Sequence, residues 1–381
     1  MSAPCISGNE WKYVKECLDT GWVSSAGRYV ELFEQRVAEY TGANHAVACV
    51  NGTAALQVAL RLVGVTADSE VLVPTLTFIA PVNAVRYLGA EPVFMDCDEY
   101  CNLDVDKTAD FIEKGTFYRN GATYDRMTRK RIAAVVPVHV FGNAVRMARL
   151  LEICRDRNVA VVEDASESLG TRYKGGPLDG MHTGTVAEIG CLSFNGNKIV
   201  TTGGGGMLLI SDECIAEKAK YLTTQAKDDP VRYVHNEVGY NFRLSNVLAA
   251  IGVAQLEQLP DFLHRKRLIY LAYNNLIGKI RGLKLAETPD YADCNHWLCS
   301  VRIDEEAYGR DRECLMKMLE LEGIQSRPVW RLNHRQIPFR TCRSYRIRKA
   351  HAMYRSTLSI PSSATLDNSD IEKVVRALAH G

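Results

Sequence analysis

Seven short apolar runs constrain this chain more than any other feature: Ala46 to Val50, Val71 to Pro74, Pro92 to Met95, Ile132 to Val138, Val159 to Val162, Ile189 to Phe194 and Met207 to Ile210. Each is too short for a helix, rich in Val and Ile, and bounded by Gly, Pro or Asp, which is the pattern of strands buried on both faces. Helical spacing fills intervals between them, clearest from Thr53 to Leu62 and from Asn143 to Asn158. The alternation predicts an open α/β sheet of seven mostly parallel strands with helices on both faces. Right-handed crossovers then bring the loops leaving the C-terminal strand ends to one edge, where such sheets hold their ligands. Asn51, Asp164 and Lys198 all fall near such ends.

After about residue 240 the strand rhythm fades into a long helical region, Ser245 to Ile280, and then a mixed segment, Leu283 to Gly381. With 381 residues and 46% hydrophobic content, the chain can fill more than one core. We expect a large α/β domain over 1–243, and a connecting helix with a smaller α+β C-terminal domain over 244–381. The formal net charge of +1 gives no global electrostatic case for nucleic acid or an anionic membrane. Twelve cysteines are scattered without a CxxC pair, and most lie in apolar stretches, so they read as reduced, buried thiols. The N-terminus has no basic region followed by an apolar core, and no uncharged apolar run reaches the ~18 residues of a membrane span. The expected location is the cytoplasm.

Three stretches carry chemistry. In the first, a strand ends at Asn51-Gly52 and a helix starts near Thr53. Helix N-termini present unpaired N–H groups and a positive dipole end, so a phosphate fits there, although an Asn-Gly turn with a Thr cap is also a common structural device. In the second, an apolar strand runs into Glu163-Asp164 with Glu167 three residues on, either a site or a solvated strand end that caps the next helix. In the third, Ser193 and Lys198 precede Thr201-Thr202 and the glycines Gly203 to Gly206, most of which serve a tight turn. A carboxylate, an amine and a hydroxyl are the side chains that pyridoxal phosphate most needs. The amine bonds its aldehyde, the carboxylate holds its pyridine nitrogen protonated, and the hydroxyl binds its phosphate.

The order Asn51-Gly52-Thr53, Glu163-Asp164-Ala165, Ser193 with Lys198, then Gly239-Tyr240-Asn241-Phe242-Arg243 resembles the DegT/DnrJ/EryC1/StrS family of nucleotide-sugar aminotransferases over nearly the whole chain. The stretches Gly8 to Val14, Gly21 to Ser25 and Pro74 to Pro81 are most similar to its LegC-like and perosamine synthase-like branches, which act on 4-keto-6-deoxy hexoses.

That resemblance implies the type I aminotransferase fold, a homodimer with shared active sites, and Lys198 as the lysine that forms the Schiff base. Asp164 would pair with the pyridine nitrogen, Glu167 would contact the ring hydroxyl where many relatives carry glutamine, and Phe78 would stack on the ring. Thr53, Ala54 and Ser193 would hold the phosphate, joined by Asn241 of the other subunit. Arg327, Trp330 and His334 match a substrate-side segment that in relatives commonly ends His-x-Gln-Pro and here reads His334-Arg335-Gln336-Ile337-Pro338. From Arg327 to Arg355 there are eight arginines and one lysine with no acid, a local excess that can supply one or two contacts to a nucleotide diphosphate.

The implied reaction moves an amino group from L-glutamate to C4 of a nucleotide-linked keto sugar. The expected acceptor is UDP-2-acetamido-4-keto-2,4,6-trideoxyglucose, of the bacillosamine or legionaminic acid type, with GDP-4-keto-6-deoxymannose, the acceptor of a GDP-perosamine synthase, as the alternative. A sugar dehydratase of the family would carry histidine in place of Lys198, and an amino-acid lyase or desulfurase conflicts with the motifs near Phe78 and Asn241. A non-catalytic cofactor-binding regulator is the reading of another class, and the sequence has no evident helix-turn-helix or DNA-reading face. Asp96, Asp98 and Glu99 follow a strand without histidines nearby, so they read as turn and cap residues and no metal is expected.

Overall fold

The computed structural model describes residues 2–229 and 231–379. All seven apolar runs form strands: β1 His45–Cys49, β2 Ser69–Pro74, β3 Glu91–Met95, β4 Arg131–Val135, β5 Ala160–Asp164, β6 Ile189–Ser193 and β7 Gly206–Ile210. They lie in the order β1-β7-β6-β5-β4-β2-β3. Neighbours from β6 to β3 are parallel, whereas β7 is antiparallel to both β1 and β6. The reversal has a local cause. The connection from Ser193 to Gly206 forms no helix, and a parallel return needs a crossover of about a dozen residues or more, usually helical.

Three expectations need correction. The sheet has ten strands, because the hairpin Thr116–Arg119 with Ala122–Asp125 and the edge strand Ser344–Tyr345 extend it. These additions are short and polar, with no apolar period to reveal them. The helical region from Ser245 to Ile280 is two helices, Asn246–Glu257 and Leu259–Ile277, parted at Gln258 with Pro260 in the first turn of the second. Proline lacks the N–H and crowds the carbonyl four residues back, so it opens a helix and does not continue one. The helix expected from Asn143 to Asn158 is shorter, Met147–Asp156.

The later part of the chain builds a second, antiparallel sheet from Leu283–Leu285, Cys299–Ile303, Thr357–Ile360 and Arg327–Pro328, in that order. Ile269, Tyr273, Val301, Leu315, Leu358 and Val374 form its separate core with the helices. One segment leaves this unit. Residues 333–350 cross to the large sheet, where Ser344–Tyr345 pair with Phe94–Met95 and the N–H of Asn333 donates to the carbonyl of Thr75 at 2.8 Å. Asp96 fastens the far end, accepting from the N–H groups of Arg348, Lys349 and Ala350 at 2.9, 2.9 and 2.8 Å at the start of the helix Lys349–Ser356. No described helix is long and apolar enough to cross a membrane.

Candidate active site

Strand alternation divides the two acids at the end of β5. Side chains on a strand point to opposite faces in turn. Glu163 faces inward, where Gly184, Val186 and Ala187 donate their N–H groups at 2.8, 2.9 and 2.7 Å and His139 Nε2 lies 3.0 Å away. Asp164 therefore points the other way, into a cavity of about 300 Å³ at the C-terminal strand ends. Its carboxyl is pushed up by burial, while Ser166, Lys198 and His139 pull against that shift. Glu167 is pushed up by burial too, opposed by the charge of Lys198 and by a 2.8 Å hydrogen bond from the N–H of Phe141.

Lys198 reaches the same cavity from the connection between β6 and β7, its Nζ 3.6 Å from Glu167 Oε1. The N–H of Lys198 donates to the carbonyl of Asn195 at 3.0 Å, so the lysine sits on a tight turn and not on a mobile tip. Thr53, Phe78, Ser193 and Trp330 complete the lining expected from the sequence. Phe78 is 52% exposed, which is unusual for a large aromatic with nothing to cover and ordinary for one that stacks on a ligand. Trp330 meets Phe78 edge-on at 6.5 Å and stacks on Phe141 at 5.1 Å. Phe141 holds a left-handed backbone, φ 60°, whose strain of roughly 1–3 kcal/mol is offset by that stacking and by the bond to Glu167.

The helix Gly52–Leu62 aims its N-terminus at the cavity. Asn51 caps it, accepting from the N–H of Ala54 at 2.8 Å, which leaves the first turn at Gly52 and Thr53 facing the open space. Glycine is required here by close approach: a Cβ on Gly52 would lie 2.9 Å from Ser193 Cβ and 3.2 Å from Ser166 Oγ. The sheet sets this spacing, since a Cβ on Gly206 of β7 would lie 2.4 Å from the carbonyl of Asn51.

Four expected residues lie elsewhere. Ala54 is buried behind the cap. Asn241 is exposed, bridged to Thr224, and Arg327 is exposed on the small sheet. His334 does not line the cavity: its Nδ1 is 2.6 Å from Thr75 Oγ1, and burial pushes its pKa down to about 4, so the ring is neutral and braces the Thr75–Thr77 turn. Three of the nine cations in the basic run pair with acids that lie between β3 and β4 in the chain. Arg343 pairs with Asp125, Arg346 with Asp110 at 2.7 Å, and Lys349 with Glu99 at 3.1 Å. Trp297, which sequence reasoning missed, places its ring 4.1 Å from Lys198 Nζ. A larger open groove of about 660 Å³ is lined by Glu34, Glu39, Glu213, Glu217 and Lys220, and its most buried acid, Glu34, is already paired with Arg243.

The sequence model of the DegT/DnrJ/EryC1/StrS aminotransferase family matches residues 4–379. The chain belongs to this family. It is 36% identical over 380 residues to a GDP-perosamine synthase of Caulobacter vibrioides, covering 99% of this chain and 96% of that one. It is 34% identical to EpsN of Bacillus subtilis, described as a putative pyridoxal phosphate-dependent aminotransferase, covering 100% of this chain and 95% of that one. Among solved structures, a DegT/DnrJ/EryC1/StrS aminotransferase of Brucella abortus superposes with a TM-score of 0.86 at 25% identity, covering 98% and 95% of the two chains. DesI, solved with its TDP-sugar product, gives 0.86 at 28% identity over 98% of this chain and 89% of its own. As a member of the family, this chain is a pyridoxal phosphate-dependent sugar aminotransferase, with the type I aminotransferase fold.

The donor set fits that cofactor. A helix N-terminus with Thr53 and Ser193 suits a phosphate dianion, a buried carboxyl suits a cationic ring nitrogen, and one amine stands between them.

Proposed function

We propose that the chain transfers the amino group of L-glutamate to C4 of GDP-4-keto-6-deoxymannose. The observation that supports this acceptor over the UDP-linked acetamido sugar is the end-to-end similarity to GDP-perosamine synthases. It spans 99% of this chain against the Caulobacter vibrioides enzyme and 86% against that of Escherichia coli O157:H7, at 36% identity in both.

In this reading Lys198 would bond the cofactor aldehyde, and Thr53, Ser193 and the N–H groups at Gly52 and Thr53 would hold its phosphate, the N–H of Ala54 being taken by the Asn51 cap. Pyridoxal phosphate, when bound, supplies an electron sink for breaking the donor Cα–H bond. Asp164 would keep the ring nitrogen protonated from its buried position, Glu167 would contact the ring hydroxyl, and Phe78 would cover the ring. The Lys198 amine would move the proton, as base and then as acid. Both carboxyls are buried in the wall of the cavity, where each charge interaction counts for more than in water.

The keto sugar offers no carboxylate at the reacting carbon, so its affinity comes from the remote diphosphate and base. Trp330 supplies a platform beside the ring, and His334 acts on the site through the Thr75–Thr77 turn it braces, whereas Arg327 stays on the small sheet. Asn241, exposed in one chain, completes the phosphate site of a second copy, so the working unit is a homodimer. The domain boundary in this reading stays near residue 243 by chain order, although the helix Asn246–Glu257 that follows packs Ala249, Ala250 and Val253 into the core of the large sheet.

The test supplies purified enzyme with glutamate and either keto sugar and follows 2-oxoglutarate and the aminated sugar by mass spectrometry. Turnover of the GDP sugar at a kcat/KM at least about a hundredfold above the UDP sugar is expected, in line with discrimination by polar contacts. Turnover of the UDP sugar alone overturns the assignment.

A further inference from the structure

Trp297 is buried, and its indole face lies against the one amine of the site, with the ring centroid 4.1 Å from Lys198 Nζ. Its Nε1–H donates to the carbonyl of Asn197 at 2.7 Å, so the same side chain grips the backbone immediately before the lysine. The residue is itself fixed on both sides. Its N–H donates to Asn295 Oδ1 at 2.9 Å, and Asn295 Nδ2 donates to the carbonyls of Glu167 and Leu169, each at 2.9 Å. Its carbonyl accepts from Lys266 Nζ at 2.9 Å, a buried lysine that also donates to the carbonyl of Ser362. Tryptophan, lysine turn and the Glu167 turn are thus one connected frame.

We propose that Trp297 is a positioning residue for Lys198: its ring holds the amine at the cavity wall, and its N–H locks the turn that carries the lysine. This rests on Lys198 being the lysine that bonds the cofactor. An aromatic face attracts a cation through the quadrupole of the ring, most strongly for indole, and the attraction grows when water is excluded. The carboxyls that face the amine are Glu167 at 3.6 Å and Asp164 at the end of β5, with His139 near Asp164 and Lys266 on the carbonyl side of Trp297. Those carboxyls draw the amine toward the ring hydroxyl and ring nitrogen sites. The indole face bears on the amine from the other direction and fixes it at the wall while it still reaches Glu167.

The experiment uses the full chain loaded with pyridoxal phosphate and compares wild type, W297F and W297M. Three readouts are taken: borohydride reduction with peptide mapping, the pH midpoint of the visible band of the bound cofactor, and kcat with KM for the sugar. W297M is expected to lower the midpoint by roughly half a unit to one unit and kcat by about tenfold, with KM for the sugar within about twofold. W297F, which keeps a ring but loses the N–H to Asn197, should retain most of the midpoint and show a fall in kcat between those of wild type and W297M. If W297M does not fold, uniform 5-fluorotryptophan in a W330F background weakens the ring at constant shape and should lower the midpoint relative to the same chain without fluorine. A wild-type adduct at a lysine other than 198 removes the underlying assignment. An adduct at 198, with the midpoint unmoved in W297M or in the fluorinated chain, overturns the role of Trp297 alone.

Discussion

At the scale of single residues, burial decides which acid does what. Glu163 and Asp164 are neighbours in sequence, yet one is consumed by three backbone N–H groups and the other is left to the cavity. The raised carboxyl of Glu167 carries a sign that can be tested. A carboxyl with a folded pKa above its unfolded value contributes stability at low pH and loses it as pH rises through the folded value. The cofactor-free E167Q chain should therefore melt at least about 2 °C above wild type at pH 8, and the gap should close as the pH is lowered, as followed by circular dichroism. Equal melting at pH 8 contradicts the burial argument. Asp98 behaves alike: burial first, then the Glu99 charge, push it up to about 7 against hydrogen bonds from the N–H groups of Tyr100 and Asn102. Between pH 6 and pH 8, wild type should lose more thermal stability than D98N. Asp164 and Lys198 were legible because each ends or follows an apolar strand where an ionised group has no structural reason to be. Trp297 was not, since it meets Lys198 from a hundred residues away and belongs to no local pattern.

At the scale of elements, the segment 333–350 matters more than its length suggests. It was read as part of the small C-terminal unit, but Asn333 and His334 brace the Thr75–Thr77 turn beside Phe78, and Asp96 holds its far end. Nothing local reveals this, because a two-residue edge strand has no period and its partner Phe94 lies far away in sequence. Removing Asp96 leaves four N–H groups, those of Cys97, Arg348, Lys349 and Ala350, and the Lys107 amine without their buried acceptor. D96A should cost about 3 kcal/mol in urea unfolding, the usual scale for breaking a buried charged network. It should also raise KM for the sugar, because the wall that carries Trp330 loses its anchor. Unchanged stability would show that the strap is held by other contacts. The seven core strands, by contrast, were fully legible, since each is buried on both faces and its whole run is apolar.

At the scale of the molecule, the two cores, the crossing segment and the strand-end cavity make one enzyme framework, and a second copy is expected to finish it. Trp11, Trp22, Val231, Tyr233 and Val238 are exposed by 76%, 59%, 81%, 74% and 77%, an apolar load that a lone chain seldom leaves in water. Sedimentation should give a dimer. K198A and N241A, each poorly active alone, should recover activity when co-expressed and mixed within one dimer, whereas no recovery contradicts a site shared between subunits. This level was reached by family resemblance and not by any pattern within the chain, because residues that meet across subunits share no period and no strand. The account depends above all on the amine at 198 and the acids at 164 and 167 meeting one cofactor. The most direct measurement is mass spectrometry of the proteolysed, borohydride-reduced holoenzyme. A phosphopyridoxyl group on the peptide containing Lys198 is predicted. Its appearance on any other lysine, or the absence of a stable adduct in a preparation that binds the cofactor, would contradict the account.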